Sequence, residues 1–327
     1  VSGVGSGLVI TQRRQLAPVI TIAAGAATGG YAGSLYQADQ PGGVWQADGV
    51  DLPGETAQDW TMTLALEGRA ITYRVGARVS NAIQMWMPTG LPSLIGAFDI
   101  RQGLYLDGAR MFGWTPLAGP MNYVQPIVAQ RPSYQPTGAD GRPEIASSYG
   151  TDFRSSNLPP APTARSFVAL MRFGTSDPSN WHQIYANGRS NTWTFGKRWA
   201  AGSLPSGART LGLMTSGFAN MQESSAGIVD GNTYMVAAQT ARPAGDYRFR
   251  INGAAAGGGT SSVPAFVNNA GDYTIALLGG LSSHVIADSY LSVADVARIE
   301  GAIAWQLGDA GRLAAGHPHK SAAPRVS

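Results

Sequence analysis

The chain holds five glutamates that could run general acid–base chemistry: Glu55, Glu67, Glu144, Glu223 and Glu300. Glycoside hydrolysis needs two carboxylates flanking the bond, and a strand presents such a pair at alternate positions so that both face one cleft. None of the five has an acid two positions away. A serine nucleophile needs the turn G-x-S-x-G between a strand and a helix. Gly3-Val4-Gly5-Ser6-Gly7 has glycine at the wrong place and no strand before it, so it reads as a small-residue tail. Cysteine is absent, which removes thiolate nucleophiles, thiolate metal sites and disulfides together. His317-Pro318-His319 offers two ligands without a third nearby, so packing of this tail against the body of the fold is the expectation. Calcium needs several oxygen ligands, and Asp152, Asp177, Asp230 and Asp246 are the loop candidates; they form no cluster in sequence, and calcium stays open. No other cofactor is expected.

Binding chemistry has more support than catalysis. A pyranose ring stacks its C–H groups on a flat aromatic face while Asn or Arg hydrogen-bonds its hydroxyls. Residues 180–199 have this composition. Trp181, His182, Tyr185, Asn187, Arg189, Trp193 and Trp199 are the candidate ligand-binding residues, with Lys197 and Arg198 beside them. The competing reading places each aromatic in the core of consecutive strands, and makes His182 an ordinary hydrogen-bonded loop histidine.

The elements around these residues read as β-structure. Charged residues make up 13% of the 327, against 43 Gly and 20 Pro, a balance that suits short strands and many turns. A net charge of +3, with basic residues scattered, lacks the stripe of a nucleic-acid binder. No uncharged apolar run reaches about 18 residues, so no membrane span is expected. Residues 1–8 lack the charged and apolar regions of a signal peptide.

Residues 1–15 read as an arm, 16–82 as a small β-domain and 83–327 as a larger one. In the small domain, strands are expected at 18–22, around Val44-Trp45, at 60–63 and at 70–75. Ile71, Tyr73 and Val75 alternate there with Thr72 and Arg74. Asp48-Gly49 predicts a tight turn. In the large domain, strands are expected at 95–99, 166–173, 233–239, 247–251, 273–278 and 284–287, with an irregular stretch after Asp99. Apolar residues on both faces of 166–173 predict a strand buried between layers. Asn252-Gly253 predicts a hairpin turn. One helix is expected from Ser292, with Asp295 as capping partner, an apolar period through Val296, Ile299, Ile303 and Leu307, and Gly308 at its stop. Gly301 inside it points to a close packing contact, expected with the sandwich.

Two resemblances follow from these residues. Trp45, Asp48-Gly49, Trp60-Thr61-Met62-Thr63 and Gly68 through Val75 resemble short bacterial and phage immunoglobulin-like modules, with Trp60 where tyrosine is usual. Phe98-Asp99, Arg131-Pro132-Ser133-Tyr134-Gln135, Gly141-Arg142-Pro143, residues 166–173 and Asn252-Gly253 resemble the laminin-G-like, concanavalin A-like jelly-roll domains of phage tail-fibre and spike proteins. The helix-and-tail stretch 291–320, ending Gly316-His317-Pro318-His319-Lys320, is the most specific part of that match.

The resemblance implies an all-β chain: a small Ig-like β-sandwich, then a laminin-G-like jelly-roll β-sandwich closed by one C-terminal helix. It implies a structural protein of a phage or phage-like particle, such as a tail fibre or head spike, assembled in the bacterial cytoplasm and exposed outside. The expected partners are a host-surface glycan, probed by the large domain, and other virion proteins, held by the arm and the Ig-like module. No nucleic acid or membrane is expected, and a homo-oligomer is left open. With the carboxylate pair missing, the chain is expected to bind and not to catalyse. The alternatives are an architectural or decoration protein and a capsule-degrading enzyme.

Overall fold

The computed structural model describes residues 16–24, 26, 28–148, 151–155, 164–174, 181–187, 194–199, 208–214, 222–241, 246–260, 273–275 and 279–326. The chain is all-β with one α-helix among the described residues, and it divides into two compact units. One comprises Val1–Met85 and Arg325–Ser327, the other Trp86–Pro324.

In the first unit, β1 (Ile20–Ile22), β2 (Leu35–Ala38) and β5 (Asp59–Thr61) form a three-stranded sheet in the order β1-β2-β5. A second sheet has the order β4-β3-β6-β7, built from β3 (Val44–Ala47), β4 (Val50–Asp51), β6 (Ala70–Val75) and β7 (Arg78–Val79). A short β8 (Ile83–Gln84) also pairs with β6. Aromatic rings join the two sheets: Trp45 of β3 lies 5.5 Å from Trp60 of β5 and 6.2 Å from Tyr36 of β2, while Tyr73 of β6 lies 4.9 Å from Trp45 within the same sheet.

The polar tips of Trp45, Tyr36 and Tyr73 are satisfied, as burial demands. Trp45 Nε1 donates to Ala57 O, Tyr36 OH donates to Gly30 O, and the Tyr73 hydroxyl accepts from Gly43 N–H. The alternation in β6 buries Ile71 and Tyr73. Asp48 and Gly49 both take positive φ, 50° and 79°, in the two-residue turn between β3 and β4. At the chain's far end, Arg325 bridges Met85 and Val326 N–H donates to Gln84 O, which makes this unit discontinuous in sequence.

Among the described residues, the second unit connects 17 strands by antiparallel pairing. One run has the order β23 (Ala254–Thr260), β22 (Asp246–Ile251), β21 (Thr233–Ala241), β16 (Ala164–Phe173), β25 (Gly279–Ala287). The far edge of β25 is shared by β9 (Leu94–Phe98) and β14 (Glu144–Ser147), and β14 carries β13 (Ser133–Gln135). The other run begins with β10 (Leu104–Asp107), β11 (Arg110–Trp114), β12 (Tyr123–Val124) and β15 (Phe153–Ser155). It continues through β24 (Tyr273–Ile275), β17 (Trp181–Asn187), β18 (Thr194–Trp199), β19 (Ala208–Met214) and β20 (Gln222–Val229).

The two runs close on one core, making a β-sandwich of jelly-roll type. Phe167, Ala169, Met171 and Phe173 of β16 meet Met111 and Trp114 of β11, Leu211 and Leu213 of β19, and Ile228 of β20. The other face of β16, Val168 and Leu170, packs under the helix α1 (Val293–Gln306) against Val296, Ile299 and Ile303. The continuous apolar run of β16 therefore serves two cores at once, which is why it shows no alternation.

The helix begins as its sequence predicts. Asp295 N–H donates to Ser292 Oγ at 3.0 Å, and Ser292 Oγ donates in turn to the Asp295 carboxylate at 2.7 Å. Gly308 takes φ 67° beyond its end. Two expectations are corrected. The stretch after Asp99 is not irregular but forms β10, β11 and β12. And the close contact of Gly301 is with the tail, not the sandwich: a Cβ at Gly301 would lie 2.6 Å from His319 Cβ. No described helix is long and apolar enough to cross a membrane.

Candidate functional site

Of the seven candidate ligand residues, Trp181, His182, Tyr185 and Asn187 lie on β17 and Trp199 on β18. Arg189 and Trp193 lie outside the described residues, as does the calcium candidate Asp177. The two strands form one antiparallel ribbon: Trp181 stands opposite Arg198, His182 opposite Lys197, and Tyr185 opposite Phe195. A register irregularity between Gln183 and Tyr185 shifts the pairing by one residue. Such a bulge raises local twist and re-aims the residues beyond it. The ribbon is rooted on both sides, by β24 at Tyr185 through Asn187 and by β19 along the whole of β18. Sequence spacing alone left these aromatics on unspecified strands; pairing places Trp181 and the Lys197-Arg198-Trp199 segment at the same end of one ribbon.

The next two strands, β19 and β20, are tied to each other through polar contacts. Thr210 Oγ1 on β19 donates to Glu223 on β20 at 2.8 Å, and Leu211 N–H donates to Ser224 Oγ at 3.0 Å. Arg209 pairs with Asp230 at 3.3 Å.

Most of the described carboxylates that could have served catalysis or a metal are engaged elsewhere, and Glu55 stands exposed in the first unit. Glu144 is held by Arg172 at 2.6 Å and lies against Gly280, where a Cβ would collide with its oxygens. Asp152 accepts from Gln125 Nε2 and pairs with Arg154. Asp246 accepts from Thr260 Oγ1. Among the described residues, no three His, Asp or Glu side chains gather where they could hold a metal ion.

Glu300 on α1 is fully buried and takes three hydrogen bonds from Arg250 of β22, from Nε to Oε1 and Oε2 at 3.0 and 3.1 Å and from Nη2 to Oε2 at 2.9 Å. His317 Nε2 lies 3.2 Å from the same oxygen. His319 N–H donates to His317 Nδ1 at 3.1 Å, so the ring proton sits on Nε2 and points at Glu300. Arg250 also donates to Gly253 O in the Asn252-Gly253 hairpin. The tail histidines therefore fasten the chain's end to the helix and this hairpin. Burial and the neighbouring His317 and Arg298 all push the His319 imidazole below the ordinary histidine range.

A second buried histidine, His284 on β25, stacks on Phe98 at 4.6 Å and shares a 3.1 Å hydrogen bond with the Tyr123 hydroxyl. Trp114 and Phe167 complete its aromatic surroundings. Loss of water pushes its pKa down to about 3, so the ring is neutral.

An exposed aromatic surface lies on strands that sequence reasoning missed. Tyr105 of β10 and Phe112 of β11 have ring centroids 5.9 Å apart. The Arg131 guanidinium sits 5.5 Å above the Phe112 ring and pairs with Asp107 at 2.7 Å. Val124, Ile127 and Val128 are exposed nearby in the chain. No local motif joins residues 105, 112 and 131; strand pairing alone assembles them.

No family model matches the chain, and no curated protein matches it. Among solved structures, the chain is similar to the binding domain of Paraclostridial Mosquitocidal Protein 1, at 12% identity and TM-score 0.45, covering 64% of this chain and 52% of that one. It is similar to the SAP-like pentraxin of Limulus polyphemus at 14% identity and TM-score 0.37, covering 48% and 80%. It is also similar to the ligand binding domain of botulinum neurotoxin serotype D, solved with N-acetylneuraminic acid, at 11% identity and TM-score 0.43, covering 64% and 50%. The chain spans about half the length of the two toxin domains. At these values the assignment rests on the strand pairing of this chain itself: it is an all-β protein whose larger unit is a jelly-roll β-sandwich closed by one helix.

Proposed function

We propose that this chain is a structural component of a phage or phage-like particle, a tail fibre or head spike, whose large unit binds a polysaccharide on the host surface. The observation that carries the binding reading is the β17–β18 ribbon, which draws Trp181, His182, Tyr185, Asn187 and Trp199 onto two paired strands beside Lys197 and Arg198. Aromatic faces with neighbouring amide and cationic groups are the chemistry that recognises sugar rings. The virion context rests on the resemblance of the stretch 291–320.

The first unit is read as an Ig-like anchoring module. Its sheets, ordered β1-β2-β5 and β4-β3-β6-β7, have the strand arrangement of a small Greek-key sandwich joined across an aromatic core. Glu144, Asp152, Glu223 and Glu300 are each held by a cation or a hydrogen bond, which favours binding over cleavage.

The experiment is cell binding by the purified chain before and after periodate oxidation of the host's surface glycans. Binding falls after oxidation if a glycan is the receptor. Unchanged binding removes the polysaccharide from the account.

A further inference from the structure

We infer that two copies of this chain pair edge to edge through β10, joining their sheets around a two-fold axis. β10 ends its run of strands, and among the described residues it pairs with β11 alone. An unpaired strand edge presents free N–H and C=O groups that another strand can take, and proteins guard such edges with Lys, Pro or inward-facing charges. Leu104-Tyr105-Leu106-Asp107 carries none of these guards within its apolar stretch.

The sandwich is also uncovered along this edge. Leu106 stands opposite Met111, which is fully buried, so Leu106 is on the core side of the sheet, yet it is 41% exposed. Tyr105, on the outer side opposite Gly113, is 52% exposed. Phe112 is the extra residue of the bulge between these pairs and adds its ring to the outer apolar surface.

The backbone selects a register. Thr115 N–H donates to Gly103 O, so Gly103 turns its carbonyl toward the β11 side. Alternation along the strand then turns the polar groups of Leu104 and Leu106 to the free edge. A second β10, antiparallel and related by a two-fold axis perpendicular to the sheet, uses these groups when Leu104 faces Leu106 of the second copy. That register puts Tyr105 opposite Tyr105 of the second copy, an aromatic cross-strand pair on the outer face. It covers Leu106 on the inner face, twice. Asp107 meets Gly103, and the two Asp107 side chains stand about 14 Å apart along the strand, beyond the screening length in physiological salt. The edge is thus complementary to itself, apolar against apolar without like charges in contact, as an isologous interface requires. This interface is independent of the glycan site.

The absence of native cysteine makes the register testable directly. Tyr105 and its counterpart form a non-hydrogen-bonded pair, whose Cα atoms lie about 4.5 Å apart, within disulfide range. Tyr105→Cys is oxidised mildly and run without reductant, beside Val229→Cys, an exposed control on β20. Sedimentation of the unaltered chain is measured at micromolar concentration, beside Leu106→Lys. The expected results are a dimer in the unaltered chain, a dimer constant weakened at least about tenfold by Leu106→Lys, and crosslinking of Tyr105→Cys well above the control. A monomeric unaltered chain, or crosslinking of Tyr105→Cys no greater than that of Val229→Cys, overturns the proposal.

Discussion

Arg250 on β22 and Glu300 on α1 form a bidentate ion pair with both side chains buried, and this pair ties the helix to the hairpin edge of the sandwich. His317 adds its Nε2 proton to the same carboxylate. Removing one member leaves a charge buried without its partner, which costs about 3–5 kcal/mol. Glu300→Gln is therefore expected to lower unfolding stability by an amount of that order. The double variant Arg250→Met with Glu300→Leu is expected to recover most of the loss, because an apolar replacement strands no charge. Urea unfolding of the three proteins checks this, and equal losses in the single and double variants would count against it.

His284 makes the large unit sensitive to acid. Its folded pKa, about 3, lies below the ordinary 6.5 because burial disfavours the charged ring. Between these values the unfolded chain binds a proton that the folded chain refuses. Stability from this group is complete above about pH 6.5 and falls as pH drops toward 3, by about 1.4 kcal/mol per pH unit for one proton. His284→Gln keeps a partner for the Tyr123 hydroxyl and removes the titration. Its stability is expected to fall less steeply than that of the unaltered chain between pH 6 and pH 4. Parallel curves would show that His284 is not the titrating group.

Gly301 sets two effects against each other. Alanine in a helix interior is worth about 1 kcal/mol over glycine. A Cβ at this position, however, would lie 2.6 Å from His319 Cβ and 2.9 Å from its Cγ, closer than packed carbons allow. The Trp305 indole donates to His319 O at 2.7 Å and holds the tail in place, so the contact cannot relax cheaply. Gly301→Ala is expected to lower the melting temperature, with the collision outweighing the helix gain. A raised melting temperature would mean that the tail yields.

The legible parts of the fold were those whose local pattern had one cause. β6 alternates because one face is buried, β16 is apolar throughout because both are, and α1 carries its own start and stop signals. β10 and β11 were hidden because the bulge at Phe112 breaks the alternation, and because Tyr105 and Leu106 remain exposed where a buried pattern would be sought. β23, Ala-Ala-Ala-Gly-Gly-Gly-Thr, has almost no intrinsic strand preference, and its order comes from pairing with β22. At the site, residue type was legible and company was not. Asp152 and Asp230 look like free oxygen ligands in sequence, but Arg154 and Arg209 occupy them in the fold. Arg154 sits two positions from Asp152, whereas Arg209 reaches Asp230 only through the pairing of β19 with β20.

If the β17–β18 ribbon holds a host polysaccharide, the binding isotherm of the chain on isolated host-surface polysaccharide is the decisive measurement. Saturable binding by the unaltered chain is expected, weakened about tenfold or more by Trp181→Ala or Trp199→Ala at unchanged melting temperature, as the loss of an aromatic anchor requires. Identical isotherms for the unaltered chain and both variants would contradict it.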